Sequence, residues 1–190
     1  LRGEGDYNDY FQDTMRAGHF ENDEKAVELM IRSSNSIIRD LLNRHVDFAR
    51  KADGGLDFTR EGAHSRPRIL FHKDITGKEI TQTLLNEVKQ LENVDIAEYM
   101  TMVDLISKDN ICCGIIVMDH EDQVLPVYSS YVVLACGGIG GLYKNSTNFP
   151  HIAGDGVGIA MKHHVEMENL DYIQIHPTTL YSHKPGRRFL

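Results

Sequence analysis

The chain has 190 residues, 41% of them hydrophobic and 25% charged, which is the composition of an ordinary globular protein with one domain or two small ones. A net charge of -8 argues against a nucleic-acid partner, because no basic stripe is available to neutralise phosphates. No apolar run approaches the length of a membrane span, and no signal-peptide pattern is present. The three cysteines lack disulfide-framework or zinc-site spacing and indicate a reducing cytoplasm.

Helical patterns dominate the first half of the chain. Apolar residues at helical spacing predict a helix that ends at Gly18, and Asn22 is expected to cap a second helical region. The polar run 33–36 is expected to divide that region into two helices. Thr76 and Glu79 have the spacing of a capping box, because a hydroxyl and a carboxylate can each satisfy a free amide at a helix start.

Strand patterns alternate with turns in the rest of the chain. Short strands are expected at 46–48 and 56–59, on either side of a hairpin turn, and from Val94 onward the apolar period becomes two. The strand predicted at 123–134 leads into the continuously apolar run 131–136, which is typical of a strand covered on both faces. The later elements are strands at 94–100, 102–107, 111–119, 123–134 and 168–175, and a helix at 155–165. This order predicts a mixed α/β protein, with helices on a sheet, an antiparallel insertion and a mostly helical lobe in front.

Two glycine-rich turns are candidates for contact with a cofactor. Ala135, Cys136, Gly137 and Gly138 end the buried strand, and glycines there would let the backbone approach a ligand. Taken alone, the glycines are better explained by a simple tight turn. The sequence around Asp155, between two glycines, opens a helix. Its amides could bind an anionic group and its carboxylate could accept hydroxyl hydrogen bonds, but an ordinary N-cap aspartate has the same pattern.

Polar residues near the end of the last predicted strand are candidates for a pocket. Gln174 and His176 fall on the same side of that strand, just before Pro177 ends it. A packing histidine explains His176 as well as a ligand-binding one does. The ten histidines do not predict a metal site, because adjacent His163 and His164 point different ways on a helix.

The segment 59–68 is densely polar and follows neither a helical nor a strand period. Arg60, His64, Arg66 and Arg68 are expected to surround the carboxylate of Glu61 and to keep it ionised. A solvated surface loop is the alternative interpretation, and binding residues often lie on such loops.

These segments together resemble the flavoprotein family that contains the L-aspartate oxidases and the flavin subunits of succinate dehydrogenase and fumarate reductase. Phe58 to Ser65, Arg68 to His72 and Thr76-Gly77 resemble the L-aspartate oxidase branch in particular. One departure is Cys136, where the family usually has threonine. The family pattern follows, in order and spacing, Leu134 to Gly138, Thr147-Asn148, Gly154 to Gly156, Ile159 to Met161, Asn169-Leu170, Gln174 to Thr178 and Leu180-Tyr181.

The resemblance implies an FAD enzyme that oxidises L-aspartate to iminoaspartate, the first step of de novo NAD biosynthesis, with oxygen or fumarate as electron acceptor. It implies small-molecule partners. Charge, hydropathy and cysteine usage indicate a cytoplasmic protein without a nucleic-acid or membrane partner, and an unpaired sheet edge could form a homodimer. The residues that it assigns to FAD are Thr101 and Met102 at the adenine end, Ala135, Cys136, Gly137 and Gly138 through their backbone, and Asp155.

The resemblance also implies a substrate site. His176 would bind a substrate carboxylate, Gln174 would support that pocket, and Thr178 belongs to the same substrate set. Glu61 would lie near the substrate amino group, because a carboxylate favours an ammonium that succinate and fumarate lack. A fumarate reductase or succinate dehydrogenase type of flavoprotein is the alternative, and a folded piece without turnover is a second one.

The family resemblance further implies that this chain is an internal fragment. The expected fold is part of a Rossmann-like FAD-binding domain with an antiparallel β insertion, plus part of an α+β capping domain. The boundaries are 1–135 for the partial FAD domain, 136–175 for the glycine-rich segment and its helix, and 176–190 for the start of the capping domain. No glycine fingerprint for pyrophosphate is present, and the arginine expected to transfer protons lies beyond Leu190, so no catalytic residue is assigned and isolated FAD affinity should be weak.

Overall fold

The structure is a computed structural model that describes residues 1, 3 and 5–175. The chain divides into two compact units, the first comprising Leu1–Ile96 and the second beginning at Ala97. The first unit is mainly helical and the second contains an antiparallel sheet, so helices and strands are both present, as the sequence predicts. In the part of the chain that is described, no helix has the length and apolar content needed to cross a bilayer.

Two long helices begin the first unit, α1 at Asp6–Ala17 and α2 at Glu24–Asn43. The helix before Gly18 is confirmed, but Asn22 is not the cap of α2. Asp23 takes that place, and its carboxylate accepts hydrogen bonds from the amides of Lys25 and Ala26 at 2.8 and 3.0 Å. A carboxylate one residue nearer the helix therefore satisfies the free amides that Asn22 was expected to bind.

The predicted interruption of α2 at residues 33–36 does not occur. Ser34 and Ser36 donate their hydroxyl protons to the carbonyls of Ile31 and Ser33 at 2.7 and 2.8 Å. These hydroxyls are satisfied inside the helix, so the polar run does not end it. The helix continues also because Val27 and Ile31 pack with Met15 of α1 in the buried core.

Residues 46–72 connect α2 to the next helix with little regular structure. The predicted strands at 46–48 and 56–59 are replaced by two isolated bridges, Arg50 with Leu56 and Thr59 with Ile69. The turn between them is confirmed, since the Lys51 amide donates to the Gly55 carbonyl at 2.8 Å. Single bridges rather than a ladder leave this segment as a loop that is fixed by its side chains.

Helix α3 spans Thr76–Val88 and begins without the predicted capping box. The Thr76 hydroxyl accepts from the His72 amide at 2.9 Å, and Glu79 accepts from the Asp47 amide at 3.0 Å. Both side chains therefore bind the preceding loop instead of the first turn of their own helix. The predicted capping box is wrong, because amides of the preceding loop compete with the helix amides for the same side-chain oxygens.

The second unit contains an antiparallel sheet in the order β1-β2-β3. Asp109 and Asn110 connect the first two strands with positive φ angles of 52° and 60°, as a tight hairpin turn requires. The predicted strand at 94–100 does not form, and the run 123–134 is a strand only at its start. The strands are β1 at Thr101–Lys108, β2 at Ile111–Met118 and β3 at Val124–Tyr128.

The final described elements are a short 3-10 turn at Gly140–Leu142 and helix α4 at Asp155–Lys162. The predicted strands at 131–136 and 168–175 are absent, and Tyr131 and Val133 are 87% and 88% exposed. A continuously apolar strand needs neighbouring strands on its edges and helices on its faces. No other described residue supplies a ladder partner to 131–136, so that run stays extended and unpaired.

Candidate functional site

The glycine turn after residue 134 is open to a ligand. Residues 135–138 are exposed, Gly137 has a left-handed φ of 76°, and no atom lies within 4 Å of the point where a Cβ of Gly138 would stand. A side chain at Gly137 would be strained, and one at Gly138 would cover the open backbone. The segment can therefore present its main chain directly to a bound group.

Cys136 connects this turn to the start of α4. A Cβ placed on Gly156 would lie 2.0 Å from the Cys136 sulfur, so the thiol occupies the space that a side chain at Gly156 would need. Gly154 has a φ of 82°, and a Cβ added to it would lie 2.7 Å from the side chain of Ile139. The structure therefore brings two separate glycine motifs of the sequence together into one surface.

Asp155 is the first residue of α4 and its carboxylate is exposed. The N-cap, Gly154, has no side chain to satisfy the free amides of the first turn. A negatively charged side chain is favoured at this end of a helix, and it leaves lone pairs free for hydroxyl donors. Asp155 thus stands at the edge of the open backbone formed by residues 136–138.

Thr101 and Met102 begin β1, with Thr101 exposed and Met102 half-buried. The same strand is fastened to α4 by Asp104, which accepts from His163 Nε2 at 2.8 Å and from Lys162 Nζ. His163 Nδ1 lies 2.9 Å from the hydroxyl of Ser107. Hydrogen bonds from Lys162 and His163 lower the pKa of the Asp104 carboxyl to about 2.

Replacing Asp104 by asparagine should lower the stability of the second unit in a pH-dependent way. The folded-state pKa, about 2, lies below the ordinary value of 3.8, so the ionised carboxylate contributes stability above that ordinary value and loses it as pH falls through 2. We expect the urea midpoint of the variant to be lower at pH 7, and the difference to shrink between pH 4 and pH 2. The turn variant Asp109→Asn is the control, and a pH-independent difference for Asp104→Asn would contradict the assignment.

Glu61 lies in the first unit, on the loop that the isolated bridge between Thr59 and Ile69 closes. Its carbonyl accepts from the His64 amide at 3.3 Å, and the carboxylate is exposed. The expected cluster of cations around this carboxylate is not found. Arg60 donates to the His64 carbonyl at 2.8 Å, and Arg66 pairs with Asp9 at 2.5 Å. Within residues 5–175, Glu61 forms no ion pair: Arg66 and Arg68 bind acidic residues of α1, and Arg60 binds a carbonyl of its own loop.

Arg68 is the centre of a buried charged cluster that the sequence analysis missed. Its guanidinium binds Asp6 and Asp13 at 2.8 Å each, and the three side chains are 1%, 6% and 5% exposed. The ring of Tyr10 lies 4.9 Å from the guanidinium carbon. Residues 6, 10 and 13 share one face of α1. Two acids on a helix face that also carries apolar residues were the sequence signal from which a buried charged cluster could have been predicted.

The electrostatics of this cluster favour the ionised forms. Burial by itself would raise the pKa of the Asp13 carboxyl, but the amide and hydroxyl of Ser65 and the Arg68 guanidinium hold it well below its usual range. Burial would also lower the pKa of Arg68, whereas its bonds to Asp6 and Asp13 raise it. The cluster is a permanently charged structural element at neutral pH.

Of the predicted substrate residues, the structure describes Glu61 and Gln174, each in a different unit of the chain. Gln174 is exposed on an irregular segment at the end of the described chain, and His176 and Thr178 lie outside the described residues. A cleft of about 570 Å³ in the first unit is lined mainly by apolar side chains, among them Phe48 and Ile80, and by none of the predicted site residues. The substrate assignments therefore stay predictions.

The residues of the second unit fit a dinucleotide cofactor such as FAD. The open main chain at 137–138 leaves space for close approach, the free amides of α4 suit an anionic group, and Asp155 suits a ribose or ribityl hydroxyl. Of the residues assigned to FAD, Cys136 to Gly138 and Asp155 lie on one surface, while Thr101 and Met102 lie on the strand bound to α4. A further assigned residue, Ala135, is exposed directly before this turn.

Comparison with known proteins agrees with this fit. A sequence profile described as "FAD binding domain" matches residues 2–190. The chain is 42% identical over 190 residues to the L-aspartate oxidase of Clostridium perfringens, covering 100% of the chain and 43% of that relative. It is 42% identical over 182 residues to the L-aspartate oxidase of Clostridium acetobutylicum, covering 95% of the chain and 42% of the relative.

Solved structures of related flavoproteins share the fold. The FrdA subunit of Escherichia coli quinol fumarate reductase, in an E245Q form, superposes with a TM-score of 0.91 at 25% identity, covering 100% of this chain and 32% of that one. Mycobacterium smegmatis Sdh1 superposes with a TM-score of 0.75 at 28% identity, covering 83% of this chain and 28% of that one. The chain spans less than half the length of these relatives. The expected fold class is confirmed, and the chain belongs to the family of FAD binding domains, whose cofactor is FAD.

Proposed function

We propose that this chain is part of an FAD-dependent L-aspartate oxidase, which converts L-aspartate to iminoaspartate with oxygen or fumarate as electron acceptor, as the first step of NAD biosynthesis. The observation that carries the proposal is 42% identity to two L-aspartate oxidases over 100% and 95% of the chain. When bound, FAD supplies a hydride acceptor, and the hydride comes from the substrate carbon that bears the amino group. The remaining chemistry depends on residues that bind the substrate and orient it.

The cofactor role rests on the surface formed by two glycine motifs. Gly137 and Gly138 would approach FAD through their main chain, and Asp155 would accept hydrogen bonds from its hydroxyls. Cys136 would act through packing, because its thiol fills the space over Gly156 and thereby sets the distance between the turn and the helix. Thr101 and Met102 would meet the adenine end.

The substrate role is assigned to four residues, Glu61, Gln174, His176 and Thr178. Glu61 would attract the ammonium of aspartate, and its exposed carboxylate without an ion pair among the described residues suits that task. His176 would bind a substrate carboxylate, Gln174 would support that pocket, and Thr178 belongs to the same substrate set. A charge that recognises the ammonium provides the physical difference between L-aspartate and the dicarboxylates that lack an amino group.

A fumarate reductase type of flavoprotein is the second candidate, because the E. coli quinol fumarate reductase subunit superposes with a TM-score of 0.91. Identity to that subunit is 25%, whereas identity to the oxidases reaches 42%. The sequence relation therefore favours the oxidase over the reductase, although the fold is common to both.

The test is anaerobic reduction of the flavin in the full-length protein by L-aspartate. We expect L-aspartate to bleach the flavin absorbance, and succinate at the same concentration to leave it unchanged. Bleaching by succinate but not by L-aspartate would overturn the proposal in favour of the second candidate. In parallel, titration of FAD into the 190-residue chain should show weak quenching of flavin fluorescence, and tight saturable binding would contradict the fragment interpretation.

A cytoplasmic location and a homodimer belong to the same proposal. Every residue of β3 is exposed, and this strand is at the edge of its sheet. An unpaired edge with apolar side chains can add a strand from a second copy. Sedimentation analysis of the full-length protein checks this point, and a concentration-independent monomer mass would exclude the dimer.

A further inference from the structure

One carboxylate oxygen of α1, Asp13 Oδ2, accepts three hydrogen bonds from the loop that carries Glu61. The Ser65 amide and the Ser65 hydroxyl each donate to Asp13 Oδ2 at 2.7 Å, and Arg68 Nη1 donates to the same oxygen at 2.8 Å. Three donors meet one acceptor that is almost fully buried. We call Asp13, Ser65 and Arg68 the Asp13 clamp.

The clamp continues to Glu61 through His64. Arg68 Nη1 lies 3.0 Å from His64 Nδ1, and a guanidinium can only donate, so Nδ1 is the acceptor and the ring proton is on Nε2. The His64 amide donates to the Glu61 carbonyl, and the His64 carbonyl accepts from Arg60. Ala63, with a φ of 67°, completes this tight turn. The backbone of residues 60–64 is therefore closed on itself and fixed to the clamp.

The Glu61 side chain contributes nothing to its own placement. Its carboxylate is exposed and has no hydrogen-bond or ion-pair partner within the described range 5–175. Its position depends on the backbone of the loop. That backbone is bound to α1 through the buried contacts of Ser65 and Arg68 and through the exposed pair of Arg66 with Asp9. Loss of the buried acceptor would thus release Glu61 without removing any group that could touch a substrate.

We propose that Asp13 is a positioning residue for specificity: the Asp13 clamp holds the Glu61 loop so that a dicarboxylate with an ammonium group is preferred over one without it. This inference rests on the proposed function, because it uses Glu61 as the partner of the ammonium. It adds residues of α1, remote in sequence from Glu61, to the determinants of the substrate class. Asp6 holds the other side of the Arg68 guanidinium and belongs to the same support.

The test compares Asp13→Asn with the unchanged full-length enzyme in three measurements: hydrogen exchange of residues 59–69, kinetics of L-aspartate oxidation, and kinetics of fumarate reduction. We expect faster exchange in that peptide and a KM for L-aspartate about ten-fold higher, the size of one lost charge-assisted hydrogen bond. The kcat/KM for fumarate and the bound FAD content should stay within about two-fold, because a displaced loop removes a specific contact rather than the fold.

Two further variants keep the outcome interpretable. Glu28→Gln makes the same acid-to-amide change in an exposed pair with Arg32 at 2.8 Å and should alter none of the three measurements. Ser65→Ala removes the hydroxyl, one of the three donors to Asp13, and retains the hydrogen bond from the Ser65 amide. It should therefore raise the KM for L-aspartate selectively, but by less than Asp13→Asn does. It also replaces Asp13→Asn as the test if that variant fails to fold.

Each other result has a definite meaning. Equal loss of both activities together with FAD would show a purely structural role and overturn the proposal. If hydrogen exchange of residues 59–69 is unchanged in Asp13→Asn, the clamp does not hold the loop. If exchange is faster but the preference for L-aspartate over fumarate is unchanged, the loop does not determine substrate specificity. If the unchanged enzyme does not oxidise L-aspartate, the proposed function fails, while hydrogen exchange alone still decides whether the clamp fixes the loop.

Discussion

Replacing Arg68 by alanine is expected to destabilise the first unit by about 3 to 5 kcal/mol at pH 7, the range measured when one partner of a buried ion pair is removed. The guanidinium is 1% exposed and neutralises Asp6 and Asp13, which are also buried. Without it, two carboxylates remain in an environment that cannot solvate them. Equilibrium unfolding in urea, followed by the helical circular dichroism of α1 and α2, measures the loss.

Arg66→Ala is the matched control for this prediction. Arg66 also connects the same loop to α1, through Asp9, but the two side chains are 60% and 40% exposed, so we expect a change below about 1 kcal/mol. Adding Asp13→Asn to Arg68→Ala should recover part of the stability, because it removes one of the uncompensated charges. Equal effects of Arg66→Ala and Arg68→Ala would show that burial does not govern this cluster.

Glu61→Gln is expected to lower kcat/KM for L-aspartate oxidation by about 100-fold in the full-length enzyme, while fumarate reduction changes little. The substitution preserves shape and removes the negative charge that would face the substrate ammonium, and a hydrogen bond to a charged group contributes about 1.5 to 3 kcal/mol. Fumarate has no ammonium, so its reduction does not use that charge. Steady-state kinetics with both substrates gives the two values directly.

The control for this variant is Glu92→Gln, an exposed acid on the same unit, which should leave both reactions unchanged. Equal loss of aspartate oxidation and fumarate reduction in Glu61→Gln would count against the ammonium role. Combining Glu61→Gln with Asp13→Asn extends the comparison. If Asp13 acts only through Glu61, the double variant should lose no more aspartate activity than Glu61→Gln alone.

The helices were the most predictable part of the fold. The apolar periodicity before Gly18 and the glycine turn before Asp155 predict α1 and α4 within a few residues, because these signals depend on neighbours along the chain. The ends were less predictable. Thr76 and Glu79 have the right spacing for a capping box, yet donors from the preceding loop bind both side chains.

The strand at 131–136 shows a different limit of sequence reasoning. Its apolar run predicts a buried strand, but Tyr131 and Val133 are exposed and the described residues offer no neighbouring strand. A strand needs partners on its edges, and an apolar pattern reports a preference for burial without saying what provides it. The hairpins around Asp109 and Asp119 were predictable, because both partners and their turn are close in sequence.

The candidate cofactor surface divides in the same manner. The sequence identifies the glycine turn at 137–138 and the helix start at Asp155 as separate motifs, since each is a local pattern. Their contact through Cys136 and Gly156 appears only in the folded chain. The buried Arg68 cluster was missed because segment 59–68 was interpreted as one group of cations around Glu61, whereas their partners lie more than 50 residues earlier, on α1.

The sequence by itself determined the helix periods, the hairpin turns, the glycine motifs and the family resemblance, all of which depend on residue types at short or fixed spacing. The tertiary structure alone decided which carboxylate each cation binds, which side chains cap a helix and which apolar runs become strands. Those outcomes are competitions between partners distant in sequence, and folding resolves them by burial: Asp13 is buried and accepts three hydrogen bonds, while Glu61 stays exposed.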